Sequence, residues 1–190
     1  MLSMRGLSDR ARVELVDYRQ LHGTTFDKIA SVGMVEHVGR SRLRAYFQTL
    51  TRLVADDGLV LNHGIVRPPH VVEEAASLFL QHRVFPGGEL PRLTEMLSAA
   101  EYAGFEALDV ENLRPHYALT CQHWVQRLQL HQSACLATVS PETYRTWLLY
   151  LAASAVAFER GLTDVYQILL ARRSPRQRRR LTREDMYIVH

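Results

Sequence analysis

FDKIASVGMVEHVGRSRLRAYFQTLTRLVADDGLVL, residues Phe26–Leu61, decides the fold. Its first nine residues, Phe26–Met34, are mostly apolar and read as a strand buried on both faces. From Ser41 the period changes. Leu43, Tyr46, Phe47, Leu50, Leu53 and Val54 fall on one helical face, while Arg42, Arg44, Gln48 and Arg52 fall on the other. Asp57-Gly58 is expected to end this helix, and Leu59–Leu61 to form the next strand. Strand, helix and strand joined by short links make a βαβ unit, which predicts an α/β sheet with right-handed crossovers.

Outward from this unit the same rhythm continues. Val13–Val16 (VELV) reads as a short strand ahead of Asp17-Tyr18. Downstream, Arg67–Leu90 breaks the pattern with Pro68-Pro69, a short apolar helix around Val71–Leu80, and Pro86-Gly87-Gly88, and it reads as a lid or insertion. Pro91 opens a helix whose buried stripe is Leu93, Met96, Leu97 and Ala100, closed by Gly104. A strand at Phe105–Val110, helices at about Thr120–Ala137 and Pro141–Arg160, and a last strand at Val165–Leu170 complete a domain spanning residues 1–172. Residues 173–190 form an Arg-rich tail.

Composition narrows the function classes. At 190 residues, 47% hydrophobic and 23% charged, the chain has the make-up of one globular domain rather than a disordered one. Seven arginines and no acid fall in Arg172–Arg183, so without that segment the formal charge changes from +3 to −4. The basic character therefore belongs to the tail. No interleaved aromatics accompany those arginines, so a nucleic-acid partner is not expected; contact with an anionic membrane is. Cys121 and Cys135 stand fourteen apart in apolar surroundings, which fits a reducing compartment and no disulfide framework. The longest apolar stretch, Trp147–Phe158, is 12 residues, too short to span a bilayer. The expected location is the cytoplasm, peripheral at the inner membrane face.

No self-standing catalytic signature is present. There is no GxGxxG, no P-loop, no HExxH and no GxSxG, so the residues predict neither a phosphate cradle of the chain's own nor a metal site. The informative positions are polar residues where strands end, because open α/β sheets bind ligands there. Three stand out: Glu36-His37 after Phe26–Met34, His63 after Leu59–Leu61, and Tyr117 after Phe105–Val110. Taken singly, each also suits a bland role at a helix terminus, in a hydrogen-bonded loop or packed under a loop. Taken together, they describe one pocket.

The runs FDKIASVGMVEHVG, ADDGLVLNHGI, FPGGELPRLTEM, NLRPHYALT and YRTWLLYLAASAVAFERGLTDVYQILLAR occur in order between Phe26 and Arg172. Together they resemble the C-terminal two-thirds of the cyclopropane-fatty-acyl-phospholipid synthases and mycolic acid cyclopropane synthases, a family of S-adenosylmethionine (SAM)-dependent methyltransferases. The resemblance implies a partial Rossmann-like class I methyltransferase fold, lacking its first two strands and carrying a helical lid. It implies transfer of a methyl or methylene group from SAM to the double bond of a lipid acyl chain. By position in those motifs, a bicarbonate ion would be held by Glu36, His63, Tyr117 and the backbone carbonyl of Val32, while Asp17 and Tyr18 would contact the SAM adenine. The family strand order, 3-2-1-4-5-7-6, makes VELV the third strand and Phe26–Met34 the fourth. Alternatives are a non-catalytic lipid-binding scaffold and a related methyltransferase acting on a small molecule; a homo-oligomer is among the expected assemblies.

The family's glycine-rich SAM loop, its ribose-binding acid and its active-site cysteine have no counterpart here, so a truncated form is expected. Two lost charge-assisted contacts at roughly 1.5–3 kcal/mol each would weaken SAM binding on the order of 10²–10⁴-fold. Calorimetry on the purified chain checks this, and a micromolar dissociation constant for a monomer would overturn it.

Overall fold

The computed structural model of the chain describes residues 9–71, 83–173 and 182–183. Four strands form one sheet: β1 (Phe26–Val32), β2 (Val54–Val66), β3 (Phe105–Asn112) and β4 (Asp164–Arg172), in the order β1-β2-β4-β3. β1 and β2 are parallel, and β4 runs antiparallel to both of its neighbours. Setting these beside the family numbering gives 4-5-7-6, the order that the resemblance implies for this half of the sheet.

The helices are α1 (Val35–Val38), α2 (Leu43–Leu53), α3 (Leu93–Tyr102), α4 (Arg114–Leu130), α5 (Gln132–Leu136) and α6 (Pro141–Glu159). They cover both faces of the sheet. On one side α2 and α3 bury Tyr46, Phe47, Leu50 and Met96 against Val60, Phe105, Ile168 and Leu170. On the other, α4 and α6 bury Ala118, Cys121, Ala155 and Phe158 against Val165. β4 supplies both clusters because its side chains alternate: Ile168 and Leu170 point one way and Val165 the other. Each fully buried large side chain contributes roughly 1.5–3 kcal/mol.

Several element boundaries differ from the sequence reading, each for a physical reason. VELV is not a strand: Val13–Val16 is irregular, with Val13 and Leu15 83% and 107% exposed and no strand beside them among the described residues. β1 is an edge strand rather than one buried on both faces, since among the described residues it pairs with β2 alone; within β1 only Ser31 is buried, and Val32 is 65% exposed. α2 stops at Leu53, and Asp57-Gly58 lies inside the long strand β2 instead of closing the helix. Gly58 is required there by crowding: a Cβ would come within 2.6 Å of the Val54 side chain and 2.8 Å of the Asp27 carbonyl. The helix after β3 starts at Arg114 and not near Thr120, which places Tyr117 on a helix. The apolar helix expected around Val71–Leu80 lies almost wholly outside the described residues.

A buried polar link ties the βαβ unit together. The Tyr46 hydroxyl, on α2, donates to Asn62 Oδ1 on β2 at 2.7 Å and shares a second hydrogen bond of 2.7 Å with Ser31 Oγ on β1. Asn62 Nδ2 faces Met96 Sδ at 3.8 Å. Burial pushes the Tyr46 hydroxyl well above the ordinary phenol range, so it stays protonated and able to donate. Outside this core, Arg40 is paired with Glu95 on α3, and that pairing holds the Glu95 carboxyl below its usual range. Tyr46→Phe is expected to destabilise the fold by about 1–3 kcal/mol, because it strands two buried polar groups. A urea-unfolding series of the variant beside the wild type measures this; an unchanged midpoint would show that the link is dispensable.

Candidate active site

The C-terminal ends of β1 and β2 bring together residues that are far apart in sequence. β1 stops at Val32, which is in register with His63, and the next residue, Gly33, donates its N–H to the His63 carbonyl at 3.0 Å. Gly33 adopts φ 67°, a left-handed turn that glycine takes without penalty, and the chain enters α1. Because β1 has ended, the next N–H of β2 on that side, at Ile65, has no strand partner. Glu36 takes it: Oε1 accepts from Ile65 N at 2.7 Å. Gly64 leaves room for this approach, since a Cβ there would overlap the Val35 side chain and stand 3.7 Å from Glu36 Oε1.

His63 shares a parity with Ile65 along β2 and so faces the α4/α6 layer. There His63 Nε2 meets the Tyr117 hydroxyl at 2.6 Å, with the two rings 5.5 Å apart. Tyr117 in turn packs edge-to-face on Phe158 of α6, with ring centroids 5.4 Å apart. Glu36 is 8% and His63 7% exposed. Among the described residues, the buried atoms Glu36 Oε2 and His63 Nδ1 have no hydrogen-bond partner. Burial lowers the His63 pKa from its ordinary 6.5, against the pull of Glu36. Burial, and then the Glu36 charge, raise that of Tyr117. Both groups are therefore neutral near pH 7. A phenol donating to Nε2 leaves the ring proton on Nδ1, so the site presents one free acceptor, Glu36 Oε2, and one free donor, His63 Nδ1–H.

The chain contributes two further residues that the strand-end pattern did not reveal. Tyr150 of α6 is partly buried, and its hydroxyl is raised above the usual phenol range by burial first, with Cys121 and Glu36 adding to the effect. Cys121, one helical turn beyond Tyr117, is buried and its thiol is likewise pushed up, so it is not an activated thiolate. The i, i+4 spacing of Tyr117 and Cys121 was readable in the sequence; the approach of Tyr150 was not, because it depends on how α6 packs against α4.

Asp17 and Tyr18 sit apart from this group. Asp17 caps a short 3-10 turn, Tyr18–Gln20, and accepts from Arg19 N and Arg19 Nε, both at 2.9 Å. Those hydrogen bonds hold its carboxyl down at about 2. Tyr18 packs edge-to-face against Tyr46, with centroids 5.7 Å apart. The pair thus reaches the buried Tyr46 link from the α2 side of the sheet, while His63 and Tyr117 meet on the α4 side.

The profile of one protein family, Mycolic acid cyclopropane synthetase, matches residues 1–168. The chain belongs to this family. It is 45% identical to a probable fatty acid methyltransferase of Pseudomonas putida over 96% of its own length and 48% of that protein's. It is 32% identical to cyclopropane mycolic acid synthase 3 of Mycobacterium tuberculosis, over 85% of this chain and 60% of that one. Among solved structures, the cyclopropane synthase MmaA2 from Mycobacterium tuberculosis superposes with a TM-score of 0.80 at 27% identity, over 88% of this chain and 65% of that chain. The cyclopropane synthase CmaA1, in complex with SAH and CTAB, gives 0.78 at 29% identity, over 88% and 64%. The chain therefore spans about half the length of the first curated relatives it matches. The fold is that of a Rossmann-like class I SAM-dependent methyltransferase, and among the described residues no helix is long and apolar enough to cross a membrane.

The candidate site has a pH signature. Because burial depresses the His63 pKa in the folded state, the unfolded chain binds the extra proton more readily. Its contribution to stability is complete above about 6.5 and is lost as pH falls toward the lower folded value. Unfolding midpoints at pH 7.5 and 5.5 are expected to differ less in His63→Gln than in the wild type; equal differences would show that His63 is not a buried neutral histidine.

Proposed function

We propose that this chain carries the acceptor side of a cyclopropane-synthase-type C-methyltransferase, acting on the cis double bond of a lipid acyl chain. The observation that carries the reading is the buried Glu36 carboxylate, held by one backbone N–H and left with an unpaired oxygen. A buried carboxylate without a cation is costly, and such groups are retained where positive charge develops during a reaction. Glu36 would place negative charge beside the acyl carbon that becomes cationic, in a site that Phe158, Ile65 and Leu113 help keep dry.

The free donor and acceptor also fit a bicarbonate ion. Bicarbonate accepts through its oxyanion and donates through one hydroxyl, matching His63 Nδ1–H and Glu36 Oε2; a fully ionised oxyanion would be repelled by Glu36. Glu36, His63, Tyr117 and the Val32 carbonyl are the groups that would hold it, and it would supply a base for the proton lost on ring closure. Asp17 and Tyr18 would hold the adenine of SAM, although Asp17 must first exchange its bonds to Arg19. When bound, SAM supplies an electrophilic methyl group. The complex of the related CmaA1 with SAH and CTAB, a lipid mimic, supports pairing the cofactor with a long-chain substrate. Methylation of a heteroatom would need no base held in this way, which counts against a soluble small-molecule acceptor. The prior claim of Arg19 on Asp17 favours a second reading, a lipid-binding form that turns over slowly or not at all.

The test is an assay with SAM in large excess and vesicles of a monounsaturated phosphatidylethanolamine, read by mass spectrometry for acyl chains one CH2 heavier. Glu36→Gln is expected to lower turnover by about 10²–10³-fold with SAM affinity unchanged, the size of one preorganised electrostatic group. Removing dissolved bicarbonate is expected to slow the wild type. Normal turnover by Glu36→Gln overturns the assigned role, and lipid binding without any transfer favours the second reading.

A further inference from the structure

The only two tryptophans of the chain, Trp124 and Trp147, lie on neighbouring helices and are 50% and 44% exposed. α4 and α6 pack side by side, with the Tyr144 hydroxyl donating to the Leu128 carbonyl at 3.3 Å. Trp147 is the outer end of an aromatic path that leads inward: its ring lies 5.6 Å from that of Tyr150, whose hydroxyl is close enough to Tyr117, Cys121 and Glu36 to interact with them electrostatically. Trp124 continues the stripe of Tyr117 and Cys121 along α4, at spacings of four and three. Both indoles therefore flank the outer end of the candidate site.

The charge of this flank is one-sided. From Arg114 to Pro141 the chain has no acidic residue, but it has two arginines and three histidines; Arg114 is taken by Asp164 at 3.4 Å, which leaves Arg127. Trp124, Arg127 and Leu130 follow one another at intervals of three along exposed positions of α4, and Leu130 is 79% exposed. On α6, Glu142 is taken by Arg83 at 2.8 Å, and the other acid, Glu159, lies at the last residue of the helix, about three turns beyond Trp147. Arg127 and Arg145 form no ion pair with any described residue. Outside the tail the chain is net acidic, so this cationic and aromatic surface stands out in sign.

We infer that the α4–α6 flank is a docking face for an anionic lipid bilayer, with Trp124 and Trp147 seated at headgroup level and Arg127 against lipid phosphates. Indoles placed half in and half out of solvent suit the membrane interface, and basic residues beside them suit anionic headgroups. A second copy fits less well, because the same arginines would face each other across the contact. The inference rests on the lipid-acceptor reading only for its purpose: such a face would present acyl chains to the site without desorbing the lipid.

The test needs no catalysis, so its failure is distinct from failure of the methyltransferase reading. The full chain is mixed with vesicles of phosphatidylglycerol and phosphatidylethanolamine, or of phosphatidylcholine alone, and followed by co-sedimentation and tryptophan emission. With the anionic vesicles, emission is expected to shift to the blue and to be quenched by lipids brominated near the headgroup; phosphatidylcholine should do this far less. Trp124→Ser with Trp147→Ser should weaken binding at least about tenfold. Replacing Arg176, Arg178, Arg179 and Arg180 by Gln should leave the quenching in place. Should the double variant fail to fold, Trp124→Phe and Trp147→Phe, each leaving one indole, report the depth of the other. Three results overturn the inference: sedimentation with unchanged tryptophan emission, which assigns binding to the tail; no binding to the anionic vesicles; or a blue shift that grows with protein concentration without lipid, alongside a dimer in ultracentrifugation.

Discussion

Asn62 and His63 are adjacent, polar and buried in the middle of a sheet, and strand geometry forces them onto opposite faces. Each must find a partner in a different layer. Asn62 finds Tyr46 on α2, and through it Ser31 on β1; His63 finds Tyr117 on α4. A buried polar group left without a partner is penalised by roughly 1–3 kcal/mol, so these two residues fix where α2 and α4 sit relative to β2. The rest of the molecule is arranged around that requirement. Tyr46 reaches the strands only because α2 packs with its apolar stripe inward, and Tyr117 reaches His63 only because α4 begins at Arg114, directly after β3.

The two sides of this arrangement serve different ends. On the α2 side the polar groups satisfy one another, and the link behaves as a staple of the βαβ unit. On the α4 side the account does not close: His63 Nδ1 and Glu36 Oε2 are left over. Apart from Arg92 Nε, these are the buried side-chain atoms left without a partner among the described residues, and two of them at one strand end are what support the functional reading of this place. Glu36 is held there by backbone geometry, since β1 ends two residues short of where its partner strand still offers an N–H. The short helix α1 then fills the gap, and Gly64 gives it space to do so.

β1 shows how composition and position can part company. Phe26, Ala30 and Val32 are residues of an interior strand, yet β1 lies at the sheet edge, paired on one side among the described residues. Apolar content predicts burial only when another element arrives to cover it. Here β2 covers one edge and α2 part of one face, which buries Ser31 and partly buries Ile29 but leaves the alternate residues in solvent.

Much of the architecture was legible in the sequence. The stripe Leu43, Tyr46, Phe47, Leu50 and Leu53 determined α2 because a helix with that pattern has only one apolar face to bury, and the motifs around Glu36, His63 and Tyr117 determined the family and the strand order. Strand and helix limits at Leu53, Asp57 and Arg114 were not legible, because hydrogen-bond pairing with neighbouring strands overrides the local turn signals that a sequence displays. The candidate site was half legible. Strand ends told which polar residues would gather, but the 2.6 Å contact between residues 63 and 117, the capture of Ile65 N–H by Glu36 and the entry of Tyr150 all depend on the relative placement of separate elements. Periodicity fixes which way a side chain faces on its own strand or helix; only packing fixes what it meets there.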